Sequence, residues 1–487
     1  MRQGMRRTVL IGLVVLVAVW LAPASGAKAT PSFTPPGHVP PGQEKCATSA
    51  PIRFEWFKGY DDPSTPDALD RVGALEVGSP SARNVLVLNP GTSSGAAYFV
   101  PLAQDIVRLT NGQWQVWSVE RRENQLEDQS EADLAKQGKV SLQQLFDYYL
   151  GWLTNPSVTN HLQLIPDADV AYAKNWGMKV EIEDLHNVVE AAKARGNNVV
   201  MGGHSLGGSI TTAYATWDFN GKPGAKDLSG LVFIDGGSGP TGISAGDAAT
   251  ALQNLQNGSP WLAFGGIPSP FVGIFGAGGG LNAVLEPNAP AIAQNFSLLP
   301  PSLVPPVPVT NEAIFGYGVD TETSPSNLIA AQVHAGHLAA SGTPRGWDRA
   351  GEITPIQRYA TMLSGAGVLG HDGTAWYHPM RLTIDSGAVA AGNPNPAQAV
   401  LDVDAIHGSD LDKHLKIYAF GAALGGQRVL DAASALAAQS HIPASNVTLV
   451  NRASTYSHND PNAASPVNDF VANLIPFLEG VERPPGC

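Results

Sequence analysis

The pentapeptide Gly203-His204-Ser205-Leu206-Gly207 stands directly between the apolar run Asn198-Val199-Val200-Met201-Gly202 and the stretch Gly208-Ser209-Ile210-Thr211-Thr212-Ala213-Tyr214. A G-x-S-x-G match alone occurs by chance in glycine-rich chains, and its setting is what gives it meaning. The β-branched run before it predicts a buried strand, and the small-then-apolar stretch after it predicts a helix packed closely on that strand. Strand, sharp turn and helix constrain this chain more than any other feature, because such a turn lifts a serine hydroxyl to the top of a sheet. Glycines at the shoulders of the turn let backbone pass close by without a Cβ clash.

Further short apolar runs separate longer helical patterns: Ile52 to Phe57, Val85 to Leu88, Trp114 to Val119, Leu231 to Ile234, Leu415 to Phe420 and Val447 to Val450. This alternation predicts an α/β fold with a mostly parallel central sheet and helices on both faces. Val180, Leu185, Val188, Val189 and Ala192 share one face of a helix over 180–195 that Gly196 stops, and that helix leads into the strand before Ser205. Helices are also predicted over 427–439 and 467–478. Two regions break the alternation. Residues 123–175 carry the acidic stretch Glu127-Asp128-Gln129-Ser130-Glu131 and then an amphipathic helix around 142–153. Residues from about 236 to 414 are rich in Gly, Pro and aromatics, among them Trp261, Phe264, Phe271 and Phe275. An insertion leaving after Ile234 and returning before Leu415 sits over the carboxyl edge of the sheet, where a cap lies. The expected organisation is a core over 50–240 and 401–487 with a cap insertion over 241–400.

The chain ends speak to location. Arg2, Arg6 and Arg7 precede an apolar run from Val9 to Leu21 and the small residues Ala22 to Ala27, so residues 1–29 read as a secretory signal peptide and the protein as secreted. The Arg6-Arg7 pair also fits a twin-arginine signal, which leaves the export route open. Residues 30–49 form a proline-rich arm. No other stretch offers about 18 consecutive apolar residues, so no membrane span is expected after cleavage. The two cysteines are Cys46 and Cys487. Export permits a disulfide between them, with free thiols or an intermolecular bridge as the alternatives. Asp and Glu number 42 against 29 Lys and Arg, a balance that argues against a nucleic-acid partner.

On the strength of the elbow and its context, the chain resembles the α/β-hydrolase superfamily in the secreted lipase and carboxylesterase style. The match covers roughly residues 50 to 240 and 400 to 480 and fades across the insertion. The resemblance implies an α/β-hydrolase fold and a serine esterase or lipase acting on a small-molecule or lipid-like ester, with neither cofactor nor metal. It implies triad members in the chain order nucleophile, acid, histidine. Of the twelve histidines, His458 alone lies after the last predicted strand, in Tyr456-Ser457-His458-Asn459-Asp460. It is placed to take the Ser205 proton and return it to the leaving group. His204, beside the nucleophile on a tight turn, reads as structural.

The acid departs from the common pattern. The stretch after Phe420, Gly421-Ala422-Ala423-Leu424-Gly425-Gly426, carries no carboxylate. Some relatives, the pancreatic lipase type among them, place the acid at the end of the strand after the nucleophile helix, which here reads Leu231-Val232-Phe233-Ile234-Asp235. Asp235 is therefore the expected acid, with Asp385, at the end of the strand-like run Met380 to Asp385, as the runner-up, and Asp404, Asp410 and Asp412 as loop charges. For the oxyanion hole, one donor is the N–H of Leu206, after the nucleophile, and the other the N–H of Thr92 in Asn89-Pro90-Gly91-Thr92-Ser93-Ser94-Gly95. His334 and His337 lack the Glu and the i, i+4 pitch of a zinc-protease helix. The insertion's aromatics read either as a small core of their own or, if they line a cleft above Ser205, as a site for apolar acyl groups. An acyltransferase with the same triad and a non-catalytic extracellular binding protein on the same scaffold are the alternatives.

Overall fold

The computed structural model describes residues 50–483. The expected signal peptide over 1–29, the arm over 30–49, and Cys46 and Cys487 with any bridge between them lie outside the described residues. Strands β1 (Ile52–Lys58), β2 (Arg71–Val77), β3 (Asn84–Asn89), β4 (Trp114–Glu120), β5 (Asn198–His204) and β6 (Gly230–Ile234) come first. A hairpin, β7 (His337–Gly342) and β8 (Arg345–Asp348), lies within the insertion, and β9 (Lys416–Gly421) and β10 (Val447–Asn451) complete the chain. The main sheet has the order β1-β2-β4-β3-β5-β6-β9-β10. β2 runs antiparallel to both neighbours, while β4, β3, β5, β6, β9 and β10 are mutually parallel.

Each apolar run identified above forms a strand. The period-two pleat then divides its residues between two cores. Leu86 and Leu88 pack with Leu102, Ile106, Phe420 and Phe470 on one face, under the helices Val100–Leu109 and Asp469–Glu479. Val85 and Val87 pack with Leu185, Val189, Ile210 and Leu436 on the other, under the helices Met178–Ala194, Leu206–Thr216 and Gln427–Gln439. A mostly parallel sheet covered on both faces, with a serine turn closing its central strand β5, is the α/β-hydrolase fold.

Two expectations are corrected. β2 was not among the predicted strands, because Gly73, Ala74 and Glu76 carry weak β-propensity. Its place between β1 and β4, and the pairing of buried Glu76 with Arg53 at 2.9 Å and Arg195 at 2.7 Å, override that preference. The strand-like run ending at Asp385 is instead a helix, Met380–Ser386, started by Pro379 and tied along one face by the i, i+4 pair Arg381–Asp385.

The 123–175 excursion and the long insertion are not separate structures. Leu145, Tyr149 and Ala173 of the first pack with Trp261, Ile274, Trp376 and Tyr377 of the second in a third core, so the two segments share one apolar interior. Among the described residues no helix is long and apolar enough to cross a membrane.

Candidate active site

The turn after β5 places Ser205 at φ 57° and ψ −121°, a conformation that costs a non-glycine residue about 1 to 3 kcal/mol and persists only where its surroundings enforce it. The enforcement is visible. Ser205 donates its N–H to the carbonyl of Ile234 at 3.0 Å, and its own carbonyl accepts from Gly208 at 2.9 Å. A Cβ on Gly207 would fall 2.0 Å from the carbonyl oxygen of Asn89, so only glycine lets the helix start this close to β3. Ser205 is half-buried and its hydroxyl has no hydrogen-bond partner among the described residues, whereas the backbone beneath it is locked.

Asp235 and His458 come together across 223 positions of sequence. His458 Nδ1 and Asp235 Oδ2 lie 2.7 Å apart, and both residues are 2 % exposed. Asp235 sits at the carboxyl end of β6, beside β5, and its neighbour Gly236 packs on the Ser205 backbone so tightly that an added Cβ would lie 1.9 Å from the Ser205 carbonyl oxygen. The carbonyl of the histidine loop is held as well. His204 Nε2 donates to the His458 carbonyl at 2.9 Å, and the two rings stand 4.3 Å apart between centroids.

The loop that lacks a carboxylate supplies backbone donors to Asp235. Asp235 Oδ1 accepts the backbone N–H groups of Ala422 at 2.7 Å, Gly425 at 3.0 Å and Gly426 at 3.1 Å, all from the turn after β9. Burial raises the pKa of this carboxyl, but the hydrogen bond and charge of His458 and the backbone donors outweigh it, and the net shift is downward. Asp235 is thereby held as an anion, and its Oδ2 fixes Nδ1 as the protonated nitrogen of His458, leaving Nε2 free to take a proton.

His204 is buried, and first burial, then the charge of His458, push its pKa well below the usual range, so the ring is neutral. A carbonyl can only accept, so Nε2 carries the hydrogen and Nδ1 faces the Tyr98 hydroxyl at 3.1 Å. Tyr98 also touches Asn459 and accepts from Asn462 at 3.1 Å, which links the elbow, the helical turn at 96–99 and the histidine loop in one buried network.

Neither of the two expected oxyanion donors has a hydrogen-bond acceptor among the described residues. Leu206 is the first residue of its helix, and its N–H has no intrahelical acceptor. Gly91 lies so near the serine turn that an added Cβ would be 3.0 Å from Ser205 Cβ, and the next N–H, on Thr92, has no partner among the described residues.

Above the Thr92–Ser94 loop opens an apolar cavity of about 210 Å³. Phe264 and Phe275 from the insertion, Phe146 and Tyr149 from the excursion, and Gly278 and Gly279 of the Phe271–Leu285 helix all line it. The cavity reaches Thr92, Ser93 and Ser94, while Ser205 and His458 are not among its lining residues. Trp261 belongs to the third core, and Phe264 and Phe275 face the cavity.

The remaining candidates are elsewhere. Asp385 is buried against Arg381 at 2.7 Å and accepts the N–H of Met178 at 2.9 Å, at the start of the Met178–Ala194 helix. Asp410 pairs with His407 at 2.7 Å, and Asp412 accepts the N–H of His414. His334 pairs with Asp460 at 2.6 Å, and His337 lies 3.5 Å from Asp348. Sequence reasoning missed Arg121 and His378, which border the loop at 90–94. Arg121 directly follows β4, and the parallel pairing of β4 with β3 brings it to the loop after β3.

No family model matches the chain, and no curated protein matches it. Solved structures do align over most of its length. A provisionally assigned lipase from Sulfolobus solfataricus is 14 % identical with a TM-score of 0.46, over 91 % of this chain and 98 % of that one. A thermostable carboxyl esterase from Bacillus coagulans is 11 % identical with a TM-score of 0.39, over 89 % and 99 %. A soluble variant of monoglyceride lipase from Saccharomyces cerevisiae is 10 % identical with a TM-score of 0.37, over 91 % and 99 %. Likeness at this level assigns no activity and no residue role.

Proposed function

We propose that this α/β-hydrolase-fold protein is an exported serine hydrolase that cleaves carboxylic esters with an apolar acyl part. The observation that carries the proposal is the buried Asp235–His458 pair, 2.7 Å apart, beside a serine held in a strained turn. In the proposed cycle Ser205 Oγ bonds to the ester carbonyl carbon as its proton passes to His458 Nε2. The N–H groups of Leu206 and Thr92 face the oxyanion. Collapse of the tetrahedral adduct breaks the bond to the alcohol oxygen, which leaves with the proton from His458, and water then releases the acid by the same steps in reverse roles.

The cavity supports the acyl preference. An apolar cavity of about 150 Å³ holds benzene, so by proportion this one takes an acyl chain of about eight carbons. Ser205→Ala is expected to abolish turnover of nitrophenyl esters and labelling by a fluorophosphonate, with the circular dichroism spectrum unchanged; full activity in that variant overturns the proposal. Among nitrophenyl esters graded by chain length, the highest kcat/KM is expected near octanoate. Export rests on residues 1–29, and N-terminal sequencing of protein recovered from the medium checks it.

A further inference from the structure

Arg121 is 1 % exposed at its side chain and pairs with Glu123, the distance from Nε to Oε1 being 2.8 Å. Its remaining bonds do not go to other side chains. Nη1 donates to the carbonyl of Pro90 at 2.9 Å, and Nη2 donates to the carbonyls of Gly91 and Ser94, each at 3.0 Å. One buried guanidinium therefore gathers three carbonyls of the loop between β3 and the turn at 96–99. A buried cation in this place is expensive unless its donors are used, and here the planar fork spreads them over exactly the groups that a loop leaves unpaired.

The consequence follows from the planarity of the peptide unit. The carbonyl of Gly91 and the N–H of Thr92 belong to one trans peptide, and in a trans peptide they point in opposite directions. Binding the Gly91 carbonyl to Arg121 therefore turns the Thr92 N–H away from the arginine, and Gly91 itself abuts Ser205. The Pro90 carbonyl and the Gly91 N–H are coupled in the same way. On the far side, the N–H of Ser93 faces Nδ1 of buried His378 at 3.4 Å, and the Ser93 carbonyl accepts from Ala375 at 2.9 Å, with Ser93 at φ 54°. The loop is thus clamped at both ends of a strained residue, and the N–H of Thr92 is left unspent.

We propose that Arg121 is the positioning residue of the oxyanion site, orienting the Thr92 N–H through the carbonyls of Pro90, Gly91 and Ser94 without touching the substrate. This rests on the hydrolase reading above. A lysine in its place keeps the charge beside Glu123 but is a single point donor that cannot hold three carbonyls in one plane.

The test compares Arg121→Lys with wild type. Loss of an aligned oxyanion donor lowers kcat by about 10² to 10³. The lysine variant is expected to fall in that range with KM little changed. Its affinity for a trifluoromethyl ketone, which forms the tetrahedral adduct, is expected to fall by the same factor as kcat/KM. A variant with wild-type kcat, or one that loses KM and leaves the ketone affinity intact, overturns the proposal. Glu123→Gln supplies the converse arm should the lysine variant not fold. It leaves the guanidinium and its carbonyl bonds in place, so thermal stability is expected to drop while kcat and ketone affinity hold; a parallel loss of both also overturns the proposal. Ser205→Ala run alongside separates the two readings, since turnover surviving in that variant removes the hydrolase assignment itself.

Discussion

Asp235 at the sheet edge and Asp385 in the insertion are both aspartates closing an apolar run, both nearly fully buried, and both held by close donors. Their surroundings shift the two carboxyl groups in opposite directions. Asp235 receives three backbone N–H groups on one oxygen and an imidazole and the Leu424 N–H on the other, and these donors outweigh burial and lower its pKa. Asp385 receives one guanidinium and one helix-terminal N–H. Burial dominates there, and the pKa rises to about 6 despite Arg381. Burial alone therefore says little about a carboxylate's use. The number and aim of the donors around it decide whether it stays ionised and what it can orient.

The sharpest way to break this comparison is to neutralise each carboxylate in turn. Asp235→Asn is expected to lower kcat by about 10⁴, the effect of holding a catalytic histidine in the wrong tautomer, while Asp385→Asn leaves kcat unchanged. Ester turnover by the two folded variants checks it, and equal losses would erase the distinction. The next largest effect is on stability. Asp385→Ala strands a largely buried Arg381 and uncaps the Met178 N–H, at a cost of about 3 kcal/mol, read by urea denaturation.

A third test asks whether the insertion chooses the substrate that the sheet edge processes. A Cβ at Gly278 would meet nothing within 4 Å, so Gly278→Leu has room to project into the cavity. It is expected to lower kcat/KM for octanoate relative to acetate by about tenfold, with acetate turnover preserved. The smallest effect is in the pH dependence of stability, where the two aspartates carry opposite signs. The Asp235 contribution is present above its unfolded pKa of 3.8 and is lost as pH falls through the lower folded value. The Asp385 contribution is present below 3.8 and is lost as pH rises toward about 6. Wild type is therefore expected to lose melting temperature relative to Asp385→Asn across that window as pH rises.

Local pattern carried much of the architecture. The elbow at Ser205, the alternation of apolar runs with amphipathic helices, and the helix over 427–439 are short-range signals, and each appears at or close to its expected bounds. Where tertiary contact overrode propensity, the pattern was silent or misleading. β2 is a strand because it lies between β1 and β4 and because Glu76 is paired there, although Gly73 and Ala74 argue otherwise. The run before Asp385 is a helix because its i, i+4 ion pair and its packing use the other period. The union of the 123–175 excursion with the insertion had no local sign at all, since its contacts join residues more than a hundred positions apart.

For the candidate site the division is similar. The residue types and chain order of Ser205, Asp235 and His458 were legible because a strained turn, a strand end and a loop after the last strand are local contexts. That Asp235 and His458 meet at 2.7 Å was decided only by the fold, which lays β6 beside β5 and brings the turn after β9 over the Asp235 carboxylate. The role of Arg121 lay beyond local reading for the same reason. Its meaning is a set of three carbonyls about thirty residues away, and a hydrogen bond across that separation exists only once the parallel pairing of β3 with β4 has brought donor and acceptors together. The chain by itself determined where a strained serine turn forms, because φ, ψ and close glycine packing are properties of adjacent residues. The tertiary structure decided which carboxylate meets which histidine and which arginine gathers the neighbouring loop carbonyls, because charge and hydrogen bonding act through space and not along the chain.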